Sequence, residues 1–203
     1  SDELQNYEAG LKSRFMDDSL QLNTSVFWID WEDIQVEPRD PAGNIPFTTN
    51  GGAAEVGGVE WSVAYLPFDL LRLDFTGTYY FTHELSEDQP VLPGASPAVI
   101  TGLSGDEIPN VPDMQLYFAA TYNAEVAGMP LNLIADVTYR DESKTEFRDS
   151  SPFNFTLDSY ALVYVFFNLE VTDSVTVGCM RRMLPMNWQF RMGSQLSRIP
   201  RRL

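Results

Sequence analysis

Apolar and polar residues alternate with period two over long stretches of this chain. In LLRLDFTGTYYFTHEL one face takes Leu71, Leu73, Phe75, Gly77, Tyr79 and Phe81, and the other Arg72, Asp74, Thr76, Thr78, Tyr80 and Thr82. PLNLIADVTYRDE sets Leu131, Leu133, Ala135, Val137 and Tyr139 against Asn132, Asp136, Thr138 and Arg140, with Ile134 the one apolar exception. DMQLYFAATYN sets Met114, Leu116, Phe118, Ala120 and Tyr122 against Gln115, Tyr117, Ala119, Thr121 and Asn123. LDSYALVYVFFNLE places Ala161, Val163, Val165, Phe167 and Leu169 together, although its second face is also fairly apolar. A helix would need apolar residues three and four apart, so the alternation predicts strands.

The strands run to about 12–16 residues, against the ~5–6 usual in soluble sheets and the ~9–11 that a tilted strand needs to cross a bilayer. Their connections alternate in length. Short links fall near 16–18, 67–69, 125–128 and 172–173, and long ones, mostly rich in Pro and Gly, over 36–52, 85–112 and 143–156. Short turns at one rim and long loops at the other are the outer-membrane arrangement. The predicted fold is therefore all-β: an antiparallel up-and-down transmembrane β-barrel segment of about eight long strands. Trp28, Trp31, Tyr79, Phe81 and Tyr139 near strand ends are candidates for the aromatic girdle at the lipid headgroups.

Composition narrows the function classes. A net charge of −16 argues against a nucleic-acid partner, because phosphate binding needs a basic face. One Cys, Cys179, gives no internal disulfide and no Cys-rich zinc site. One His, His83, with no nucleophile motif leaves little for an enzyme, and no cofactor is expected. The paired acids Glu87-Asp88 and Asp106-Glu107 lack the regular spacing of a calcium loop. The chain opens on SDELQNYEAG, charged and without a signal-peptide pattern, as though cut from a longer protein.

Four phrases then carry a family resemblance. ELQNYEAGLKSRFMDDSLQLNTSVFWIDWEDIQV and NGGAAEVGGVEWSVAYLPFDLLRLDFTGTYY resemble late barrel strands of TonB-dependent outer-membrane receptors. GLSGDEIPNVPDMQLYFAATYN is similar to the start of a later strand, and LDSYALVYVFFNLE to one close to the barrel's C-terminus. The likeness covers roughly residues 3–178 in family order. It implies that residues 1–178 are the C-terminal portion of a receptor barrel, with nothing resembling the plug domain or energy-coupling box. Such receptors have 22-stranded barrels with a plugged lumen, so the piece would leave unpaired edges at its first and last strands.

Residues 179–203 break the pattern. This tail holds six of the 13 Lys and Arg and none of the 29 acids, with four of the seven Met and the sole Cys. The resemblance implies a segment like lyaeNvtDEla here. Met186-Asn187-Trp188-Gln189 is encoded ATG AAY TGG CAR, and from the third base of ATG the triplets read Glu, Leu and Ala whatever the codon choices. Upstream, the same shift permits Ala-Glu-Asn-Val-Thr-Asp. The tail is therefore expected to be out of frame, through a single-base slip close to Gly178. The alternative is a genuine basic tail that binds lipid phosphate or another acidic partner.

By resemblance, the intact protein sits in the bacterial outer membrane. It takes up a scarce nutrient, such as a ferric siderophore, cobalamin or an oligosaccharide, and draws energy from the TonB complex through the missing N-terminal part. Its partners are outer-membrane lipid and a small-molecule nutrient. Candidate ligand contacts in the long loops are Arg39, Asp40, Glu87, Asp88, Asp106, Glu107, Arg148 and Asp149. Two other readings stay open on the residues alone: a passive porin-like small β-barrel, and a soluble all-β carbohydrate-binding module.

Overall fold

The computed structural model describes residues 2–36, 49–89, 102–148, 153–172 and 174–186. In chain order the strands are β1 (Glu3–Phe15), β2 (Leu20–Glu32), β3 (Gln35–Val36), β4 (Thr49–Asn50), β5 (Ala54–Phe68) and β6 (Leu71–Leu85). They continue with β7 (Met114–Val126), β8 (Met129–Arg140), β9 (Ser143–Lys144), β10 (Thr156–Leu157), β11 (Tyr160–Thr172) and β12 (Val175–Met186). The eight long strands form one sheet in the order β1-β2-β5-β6-β7-β8-β11-β12, each antiparallel to the next. This is the expected up-and-down wall. It is open, because β1 pairs only with β2 and β12 only with β11.

Turn chemistry sets the short rim. Ala127 and Gly128 both have positive φ, 53° and 79°, as a two-residue type I′ hairpin turn requires. Met16, Asp17 and Asp18 are also left-handed, and Ser19 N–H donates to the Met16 carbonyl at 3.1 Å. Pro67, expected in a turn, lies inside β5, where pairing with β6 slips between Tyr65 and Phe68. A residue with no N–H fits at such an irregularity. At the other rim the long connections carry structure that the alternation did not predict. Gln35–Val36 pairs with Thr49–Asn50, and Ser143–Lys144 with Thr156–Leu157.

The ladder register sorts side chains onto two faces. One takes the row Leu11, Thr24, Trp61, Gly77, Leu116, Tyr139 and Ala161, and the row Tyr7, Trp28 and Gly57. From these rows down to the short rim that face carries no charged side chain on β1, β2, β5, β6, β7, β8 or β11. The opposite face holds Lys12, Asn23, Ser62, Thr76, Tyr117 and Thr138 in one row. Most of the large exposed hydrophobics, including Tyr7, Leu11, Phe15, Val26, Phe75, Phe118 and Val165, belong to the apolar face. From Met129 to Tyr139 that face climbs ten residues, about 33 Å along the strand. A tilt of about 40° makes this a band some 25 Å tall, the height of an outer-membrane barrel's apolar belt.

Large aromatics lie flat on this face because glycine sits beneath them. A Cβ at Gly77 would collide with Trp61, and one at Gly57 would come within 2.5 Å of Phe81 and 2.7 Å of Trp28. Trp28 and Phe81 stack across Gly57 at 6.2 Å. The ladder slips one residue beside Gly57 and Gly58, so Phe81 stays on the apolar face while His83, two residues on, turns to the other.

Candidate functional site

The long-connection rim is where the described residues pack most densely. Ala53, Ala54 and Leu85 are buried there, Leu85 to 2 % exposure, and a Cβ at Gly102 would collide with Leu85 and approach Phe147 at 3.0 Å. A sheet one layer thick buries little within itself, so the tightest packing appears where loops fold over its upper end. The return segment of the β6–β7 connection runs back along β6 as a short ladder. Leu85 N–H donates to Asp106 O, Gly105 N–H to Leu85 O, Ile108 N–H to His83 O and Tyr80 N–H to Asp113 O. His83 clamps the same segment: it is buried, its Nε2 lies 2.8 Å from Asp113 Oδ1, and its ring meets Tyr80 edge-on at 6.1 Å.

The β8–β11 connection is tied to this segment. Arg148 Nη1 lies 3.6 Å from Asp106 Oδ2, and Asn110 N–H donates to the Lys144 carbonyl at 2.7 Å. Arg140 donates to the Asn110 carbonyl at 2.6 Å. Two long connections thus form one interlocked platform above the wall.

The loop candidates divide within it. Asp106 Oδ2 accepts Leu103 N–H at 2.8 Å, Asp88 Oδ1 accepts Ser104 N–H at 2.9 Å, and Glu107 bridges to Glu84 through the backbone. With Arg148, these side chains and backbones fold the platform. Glu87 instead lines a cleft of about 580 Å³ with Asp30, Trp31, Glu32, Asp33 and Glu55. Arg39, Asp40 and Asp149 lie outside the described residues. Among the described residues no three His, Cys, Asp or Glu side chains are grouped to hold a metal.

The girdle candidates also have definite places. Trp28, Tyr79, Phe81 and Tyr139 lie on the apolar face near the long-connection rim; Trp31 takes the other face, opposite Leu4 and Ala54. Three polar tips point the same way. Tyr7 donates to Gln5 at 2.9 Å, Trp28 Nε1 to Asp30 at 2.8 Å and Tyr139 to Asp141 at 3.0 Å, each two residues nearer that rim. Above the aromatics the apolar face turns acidic, with Asp30, Glu55 and Glu84 in adjacent strands. Sequence reasoning missed Tyr7 and this pairing. An aromatic with a polar residue two positions on toward the long loop was the available signal.

The comparisons with known proteins agree with this geometry. The family model described as TonB dependent receptor-like, beta-barrel, matches residues 3–180. Among solved structures, a mutant ferric enterobactin receptor of Pseudomonas aeruginosa in complex with enterobactin aligns with TM-score 0.64 and 18 % identity, over 88 % of this chain and 25 % of its own. The ferric yersiniabactin uptake receptor of Yersinia pestis gives 0.58 and 15 %, over 89 % and 28 %. The ferric preacinetobactin receptor of Acinetobacter baumannii gives 0.54 and 20 %, over 83 % and 23 %. No curated protein matches. The chain spans about a quarter of the length of these solved structures, and at such identities they establish the fold. With a family match across nearly all of the wall, the chain belongs to the TonB-dependent receptor β-barrels, outer-membrane receptors rather than enzymes.

Proposed function

We propose that this chain is part of the wall and outer rim of a receptor that captures a ferric siderophore and admits it across the outer membrane. The observation that carries this reading is the family match over residues 3–180, joined to a loop platform at one rim of an apolar-faced wall. That the solved neighbours are receptors for ferric siderophores favours an iron chelate over cobalamin or an oligosaccharide. In the intact protein the apolar face meets lipid, and the polar face lines a lumen filled by the plug. Energy comes from the TonB complex through the N-terminal part of the receptor.

The loop candidates have two jobs under this reading. Asp88, Asp106, Glu107 and Arg148 hold the platform in shape, while Glu87 in its cleft and Arg39, Asp40 and Asp149 in the loops meet the cargo. A preformed platform lowers the ordering cost of binding. The test is uptake of radiolabelled iron, as a panel of ferric siderophores, by iron-starved cells expressing the full-length receptor. Uptake of at least one chelate that vanishes without TonB is the expected result. Uptake of none, or uptake indifferent to TonB, would refute the reading.

A further inference from the structure

The register of β12 shows where the wall's rules stop. Val177 lies opposite Leu169 and Cys179 opposite Phe167, both on the apolar face. Two residues later Arg181 falls on that face, opposite Val165 in the middle of β11. None of the seven preceding wall strands places a charge at this depth on the apolar face. Val165 is followed across the sheet by Ala135, Ala120 and Leu73. Alternation cannot rescue the segment, because Arg182 follows at once and a one-residue slip would only exchange one Arg for the other.

Three further observations converge on the same place. The family match ends at residue 180. No Asp or Glu occurs after residue 178, although the chain carries 29. The genetic code supplies the third. Read from the third base of the Gly178 codon, the triplet at position 179 is NTG, which encodes Leu, Met or Val and nothing else. Position 180 becomes Tyr or His, and position 181 Ala or Glu. The Arg at position 181 therefore disappears in every case, giving Ala from a CGN codon and Glu from an AGR codon, and an apolar residue is forced at position 179, opposite Phe167. Further on, the Met-Asn-Trp-Gln codons are forced to give an acid and two apolar residues, restoring the composition of the rest of the chain.

We infer that the reading frame has lost one base at or beside the Gly178 codon, so that β12 in the native protein continues as an apolar-faced wall strand and residues 179–203 are translated out of frame. The test uses the full-length receptor gene in two versions, one as it stands and one with a single base inserted directly after the Gly178 codon. Both are expressed in an outer-membrane host. The readout is receptor in the outer-membrane fraction that resists trypsin and migrates as the folded form when unheated. The restored frame should give at least about tenfold more folded receptor, since charge on a barrel's lipid face is strongly disfavoured at mid-depth. Equal or greater assembly of the unrestored version overturns the inference. Assembly is read without cargo, so a failure of the siderophore reading would leave this result standing.

Discussion

Gly77→Ala adds one methyl group at the most crowded point of the apolar face. The new Cβ would collide with Trp61 Cζ2 and lie 2.7 Å from Trp61 Cε2 and 2.7 Å from Leu116 Cδ2. Carbon atoms pack at about 3.5–4.0 Å, so the indole must retreat by more than an ångström. It cannot do so freely, since its ring also rests against Phe75 at 5.9 Å. Overpacking of this kind costs about 1–3 kcal/mol, while replacing a strand glycine by alanine returns about 0.5–1 kcal/mol of backbone entropy. The net runs from about 0 to 2.5 kcal/mol and centres on a loss of about 1 kcal/mol, roughly 5-fold in the folding equilibrium. Urea unfolding of the full-length receptor in lipid vesicles measures it. Trp61→Leu makes room for the methyl and forfeits no hydrogen bond among the described residues, where Trp61 Nε1 has no partner. The double variant should therefore be more stable than the sum of the two single losses. Additive losses would refute the collision and with it the register of β5 against β6.

Other perturbations test other parts of the structure. Gly57→Ala meets Phe81 and Trp28 together and should lose about 1–3 kcal/mol in the same assay, with partial recovery on adding Phe81→Leu. Trp28→Phe keeps the stacking but loses the bond to Asp30; a loss of about 0.5–1.5 kcal/mol is expected, and Asp30→Asn, which leaves an acceptor, should cost less. Arg148→Ala breaks a partly buried ion pair with Asp106 that lies in the loops, not in the wall, so wall stability should change by no more than about 1 kcal/mol. Proteolysis of the loops in the folded receptor should nevertheless accelerate several-fold, and an unchanged cleavage rate would show that the tie does not hold the platform.

The alternation made the eight long strands, their antiparallel order and the two unlike rims legible, because a wall wetted on one face and apolar on the other must alternate. What local pattern could not supply were facts about pairing. Strict alternation through β6 would put His83 on the apolar face with Phe81; the slipped pairing beside Gly57 and Gly58 reverses it. Only the ladder shows which rings crowd Gly57 and Gly77. Trp28 and Trp31 are a different case: three residues apart on one strand, they must stand on opposite faces by alternation alone, so this separation was legible in the sequence. The rim was least legible of all. Asp88, Asp106 and Arg148 read as loop charges available to a ligand, yet their partners lie 16, 3 and 42 residues away along the chain.

That rim also bears on how one chain could be stable in two solvents. On the proposed reading, lipid covers the apolar face between Tyr139 and Met129, and the ladder satisfies the backbone there. Above the aromatic row that cover would end, so the loops bury apolar groups of their own and satisfy their own amides. They do so with Leu85, Ala54, Gly102 and Phe147 at the centre and the His83–Asp113 and Arg148–Asp106 contacts around them. Under the proposed function this has a physical consequence. A platform held by its own core is ordered before any cargo arrives, so binding would not first have to order the connections it touches. Movement of a cargo inward would then fall to elements of the receptor other than this platform.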